Sequence, residues 1–138
     1  MSHPGRKVCP VTVFALICVG AGVLIHLYIW VMESLTWTSP RTRATFGIDA
    51  AEAAATREMA FNQGFYNLFL AIVAAVGIGF VAAGNRAVGV ALIAAGAGSM
   101  VLAGVVLLVS SPDKARPAAI QLVPPLIGCL ALALSAAF

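Results

Sequence analysis

Charge is what this sequence has least of. Asp, Glu, Lys and Arg make up 9% of its 138 residues, against about 25% in soluble domains. So few charges cannot clothe a folded surface in polar groups, which excludes water as the solvent for most of that surface. Aromatic residues are also sparse, at 8%, and no basic stretch interleaves with them. That excludes the usual nucleic-acid footprint, despite a net charge of +3. The three cysteines, Cys9, Cys18 and Cys129, form no CxxC pair and read as small buried hydrophobes. No His-x-x-x-His or Glu-x-x-His spacing occurs, so neither metal nor cofactor is expected. Gly77, Gly79 and Gly84 fall in or at the end of an apolar run and are no phosphate loop. Ser34, Ser99, Ser110 and Ser111 have no nucleophile-elbow context.

What the chain does have is apolar length. Hydrophobic residues make up 62% of it, and the mean hydropathy is +1.02. A membrane helix needs about 20 apolar residues. Four runs qualify, at about 11–37, 61–83, 87–109 and 117–138. The expected fold is therefore all-α, a single domain forming an integral membrane bundle of four transmembrane helices. Arg6 and Lys7 before the first run resemble a signal peptide. The run continues to Trp37, too long for a signal core, and reads as a first span. Residues 1–10, with Pro4 and Pro10, read as a poorly ordered tail.

Residues 38–60 are the one substantial polar segment. Thr38-Ser39-Pro40 stops the first helix, because a residue before proline avoids helical backbone. Asp49 followed by Glu52 predicts a capped helix starting near Ala50, lying partly in the interface and leading into the second span. The third run is rich in Gly and Ala, including Gly89, Gly96, Ala97 and Gly104. Small residues let membrane helices approach closely, so this helix is expected to pack centrally and to offer a face for homo-oligomer formation. Pro124-Pro125 predicts a kink in the fourth span. Arg6, Lys7 and Arg86 fall on one side, and Arg41, Arg43, Arg57, Lys114 and Arg116 on the other. The excess places the 38–60 side in the cytoplasm.

Polar groups at membrane depth are costly and mark function by default. His26 and Glu33 are seven residues apart, on one helical stripe, about 10 Å apart along the axis. Their pairing could relay a proton. Trp30 and Trp37 lie near the same stripe. In the second span Asn62, Gln63, Tyr66 and Asn67 cover an arc of about 140°. Consecutive spans run antiparallel, so the end of the first meets the start of the second at similar depth. The expected site is a polar pocket open toward residues 38–60. Glu33 and His26 would form its chemical pair. Asn62, Gln63, Tyr66, Asn67, Tyr28, Trp30, Trp37 and Arg41 would contact a ligand, with Arg41 or Arg43 folding over to Glu33.

The segments HLYIWVMESLTWTSPRTRATFGI and NQGFYNLFLA resemble domain-of-unknown-function family 1304, small bacterial integral membrane proteins. The matching positions are His26, Leu27, Tyr28, Ile29, Glu33, Trp37, Pro40, Arg41 and Phe46, then Asn62, Gln63, Gly64, Tyr66, Asn67, Phe69 and Leu70. Gln121 with Pro124 also fits. Ile25 stands where the family usually has an acid, and Gly98-Ser99-Met100-Val101 departs from its third-span motif. The resemblance implies a multi-pass protein of the bacterial inner membrane and says nothing of activity. Three functional expectations follow from the residues. The first is binding, or conversion, of a small lipophilic molecule in the polar pocket. The second is proton-coupled transport by an oligomer, and the third a structural role beside another membrane protein.

Overall fold

The computed structural model describes residues 9–135. Residues 1–8 of the expected tail 1–10, and the last three residues of the fourth run, lie outside the described residues, and Pro10 already belongs to a helix. Helix α1 (Pro10–Trp30) begins with proline at a position whose N–H has no helical partner anyway. It passes directly into a π-helical turn, Val31–Leu35. Then come two short helices, α2 (Pro40–Phe46) and α3 (Ala50–Ala55), and the long α4 (Arg57–Ala82) and α5 (Arg86–Ser110). A 3₁₀ turn at Pro112–Lys114 leads to α6 (Ala115–Leu134). No strand occurs among the described residues.

Four stretches are long and apolar enough to cross a membrane: Pro10–Leu35, Arg57–Ala82, Arg86–Ser110 and Pro112–Leu134. Helices suit this role because every backbone polar group within the span is satisfied internally. The second stretch starts four residues before the expected 61 and the fourth five before the expected 117.

Helix α1 packs on α4 and α6, and α5 packs on the same two. Thus α1 and α5 sit diagonally across a four-helix bundle. The third span is one corner of that square, not its centre. Its glycines are nonetheless used for close approach. A Cβ on Gly89 would come 2.7 Å from the Gly77 carbonyl oxygen, and one on Gly77 would come 2.9 Å from that of Gly89. Both distances are too short for real atoms, so α4 and α5 touch backbone to backbone. Gly89, Gly96, Ala97 and Gly104 are all buried inside the chain.

The distribution of side chains is inverted relative to a water-soluble bundle. Buried hydrophobics are mostly small, such as Ala15, Ala71, Ala74 and Ala97, whereas Ile17, Leu24, Leu102, Val106 and Leu130 point outward. In water such an outer surface would be a large apolar patch. In lipid it costs nothing, and small interior residues maximise interhelical packing.

Residues 38–60 hold one more helix than expected. Ser39 Oγ accepts from Thr42 N–H at 3.2 Å, with Pro40 at the first helical position. The proline that ends one helix therefore starts the next. Gly47, at φ +67°, closes α2. Asp49 Oδ1 accepts from Glu52 N–H at 2.8 Å and starts α3 at Ala50, as expected. Pro124 and Pro125 both lie within the continuous helix α6.

Candidate functional site

The last turn of the first span and the first turns of α4 meet at Gly64. A Cβ there would collide with Ser34 Oγ and come 3.1 Å from Glu33 Cβ. Glycine is therefore what admits the π turn against α4. Ser34 Oγ, freed to approach, donates to the Phe61 carbonyl at 2.9 Å. One turn past Gly64, Asn67 Nδ2 donates to Glu33 Oε2 at 2.9 Å, and also lies 3.2 Å from the Gln63 carbonyl. The central expectation of the sequence, that Glu33 and the amide motif face each other, is met by this pair. Among the described residues Asn67 is the only hydrogen-bond partner of the Glu33 side chain, and only one carboxylate oxygen is engaged.

Glu33 sits in the middle of the π turn. Thr36 N–H reaches back five residues to the Val31 carbonyl at 3.0 Å. Such widened turns are rare and recur at functional sites. Here the turn presents Glu33 and Ser34, adjacent residues, to the same partner helix.

Other expected members are placed differently. His26 is 1% exposed, and its Nδ1 lies 2.9 Å from the Gly22 carbonyl oxygen. A carbonyl can only accept, so Nδ1 carries the hydrogen and is bonded along its own helix rather than to Glu33. Asn62, Gln63 and Arg41 are exposed, and Tyr66 and Tyr28 are 65% and 50% exposed. These five face outward rather than lining an enclosed pocket with Glu33. Arg43 Nε is buried without a hydrogen-bond partner among the described residues, rather than paired with Glu33.

Both tryptophans serve the same corner. Trp30 meets Phe65 of α4 edge to face, with centroids 6.2 Å apart. Its Nε1 is buried and has no partner among the described residues. Trp37 meets Phe46 at 4.9 Å and donates from Nε1 to Thr56 Oγ1 at 3.2 Å. Thr36, Ser39 and Thr42 join hydroxyl to hydroxyl at 2.9 and 3.1 Å. The segment after the π turn is thereby tied to α2 and to the start of α4. The sequence reading named Gly64 only as a position of the family resemblance and set Ser34 aside as a nucleophile, and it did not single out Thr36 or Thr42. Ser39-Pro40, a cap followed by a first-turn proline, was the available signal for the α2 start.

Among the described residues no group of three or more His, Cys, Asp or Glu is placed to hold a metal. Cys9, Cys18 and Cys129 are free and half-buried. The arrangement can accept a hydrogen bond or a positive charge at Glu33. Among the described residues no titratable side chain is hydrogen-bonded to that carboxylate.

No curated protein and no solved structure matches this sequence. One family profile does, that of proteins of unknown function designated DUF1304, over residues 20–133. That match takes in the π turn, Gly64 and the Glu33–Asn67 pair, and covers most of the chain; the protein belongs to the DUF1304 family.

Proposed function

We propose that the protein is a multi-pass membrane protein whose Glu33–Asn67 pair recognises the polar end of a small lipophilic molecule that donates a hydrogen bond. The observation that carries this reading is the half-engaged carboxylate. Glu33 spends one oxygen on Asn67 and keeps the other free among the described residues, at the lipid-depth end of two packed helices. A carboxylate in such surroundings is costly unless it serves a purpose. An alcohol or amine reaching it from the lipid would supply the missing donor. Conversion of the ligand is not part of this reading, because among the described residues Glu33 has no hydrogen-bonded acid–base partner.

Dodecanol and its methyl ether, which lacks the hydroxyl hydrogen, separate the cases. In lipid nanodiscs, dodecanol is expected to change Trp30 emission saturably. The ether, and dodecanol with the Glu33→Gln variant, are expected to do so weakly. Equal responses to both molecules would refute the reading.

A second reading is supported by the tight seat of Gly64 on Ser34 and Glu33. In it the pair is an interhelical fastener in a protein that assembles with another membrane component. That reading expects Glu33→Gln to change recovery of a complex and no ligand response.

A further inference from the structure

A concavity lies away from Glu33, between the α2–α3 corner and the turn joining α5 to α6. It has a volume of about 420 Å³, within the range of small-molecule sites. The C-terminal residues of α2 and Gly47 form one wall, with Ala44 on it, and Pro117 lies opposite. Glu52 enters from α3, and Asp113 and Lys114 from the 3₁₀ turn. All three charged side chains are exposed, and none makes a hydrogen bond or ion pair among the described residues. The walls thus carry both signs of charge, unspent, on two segments far apart in sequence.

Depth is the second consideration. The first span ends at Leu35, the second begins at Arg57, the third ends at Ser110 and the fourth begins at Pro112. All four ends lie on one side, and the cavity is built from the segments that join them. If the chain spans a bilayer, as the reading above holds, this cavity opens at headgroup level, where phosphate and ammonium groups are concentrated.

We infer that this cavity is a binding site for a zwitterionic amino-phosphate group of the phosphoethanolamine type. Glu52 and Asp113 receive the primary ammonium, and the α2 C-terminus, negative by its peptide dipoles, reinforces them. Lys114 receives the phosphate as a point charge. A primary ammonium offers three donors to two carboxylates and nearby carbonyls, which a choline group cannot do. The site rests on the membrane reading and is independent of any ligand at Glu33.

The test is native mass spectrometry of the full chain, released from micelles doped with equal amounts of phosphatidylethanolamine, phosphatidylcholine and phosphatidylglycerol. Preferential retention of phosphatidylethanolamine is expected. Glu52→Gln with Asp113→Asn lowers that preference about tenfold, because charge-assisted hydrogen bonds are replaced by neutral ones. Ala44→Trp fills the cavity without altering charge and gives the same loss. Both variants are checked for wild-type helicity and melting temperature. Soluble glycerophosphoethanolamine, added in excess, distinguishes the sources. Displacement of the lipid shows that the headgroup alone suffices, and persistence shows that the acyl chains contribute. Equal retention of the three lipids, or retention unchanged in both variants, overturns the site. The Glu33→Gln variant keeps the preference, so failure at Glu33 and failure here are distinguishable.

Discussion

Asn67 donates its side-chain amide to the Glu33 carboxylate across 2.9 Å, joining residues 34 positions apart at the level where two membrane-length helices meet. The bond settles which amide of the NQGFYN segment matters to Glu33. It also gives that carboxylate its one partner among the described residues. Losing the donor leaves a half-buried acceptor unsatisfied.

Asn67→Leu is therefore expected to destabilise the protein by about 1–3 kcal/mol, the cost of stranding a buried acceptor. Asn67→Asp should be worse, since two carboxylates would stand at hydrogen-bond distance. Glu33→Gln retains an acceptor for Asn67 and should melt close to wild type. Thermal unfolding in detergent compares the three; indistinguishable midpoints would show that the bond contributes nothing.

Gly64→Ala forces a Cβ against Ser34 Oγ and Glu33 Cβ. Overpacking of this kind costs about 1–3 kcal/mol. Gly98→Ala is the matched control, because a Cβ there meets nothing within 4 Å. In a helix that change gains about 0.5–1 kcal/mol by restricting the unfolded chain. Opposite signs in one melting experiment are the expected outcome, and equal effects would contradict the packing described.

At the far end of the bundle Arg86, the first residue of α5, reaches three other groups. Its guanidinium donates to Thr12 Oγ1 at 3.3 Å, the Leu132 carbonyl at 3.4 Å and Ser135 Oγ at 2.7 Å. It thereby fastens the start of α1 to the end of α6. Arg86→Gln should speed hydrogen exchange at both of those ends while leaving α4 protected, with a global cost of about 1–3 kcal/mol. Unaltered exchange at Thr12 and Leu132 would show that the three contacts do no holding.

Asp49→Ala removes the cap of α3 and should cost about 1 kcal/mol. Because α3 is only six residues long, the loss is expected locally, as faster exchange over residues 50–55. Asp49→Asn should restore protection. Failure of the asparagine to do so would mean that charge, and not the cap bond, sustains the helix.

Much of this was legible before any coordinates. Four apolar runs fixed four helices, since length and low charge leave no other way to satisfy the backbone in lipid. The Glu33–Asn67 encounter followed from antiparallel neighbours carrying polar groups at matching ends. The rest of the expected pocket did not follow, for a geometric reason. Asn62 lies five residues before Asn67, about 140° around the helix, so one neighbouring helix cannot receive both. Gly64 and Asn67 share the contact face, while Asn62 and Tyr66 turn away from it. Helix α2 was missed because Pro40 was weighed as a stop and not as a first-turn residue behind Ser39. The π turn left no readable mark, because no residue type requires one.

That widened turn makes chain length, and not only side-chain chemistry, a determinant of where the carboxylate aims. Between Val31 and Thr36 the backbone spends one residue beyond the ordinary helical repeat. Excising one position there would let the regular spiral resume with the residues beyond it still nearly in phase with α1, because five residues at the wide pitch and four at the ordinary pitch each make little more than one turn. What would go is the bulge that turns two adjacent side chains, Glu33 and Ser34, toward α4 at once. A one-residue deletion in this turn should consequently spare the helix ends on either side while breaking the Glu33–Asn67 or the Ser34–Phe61 bond.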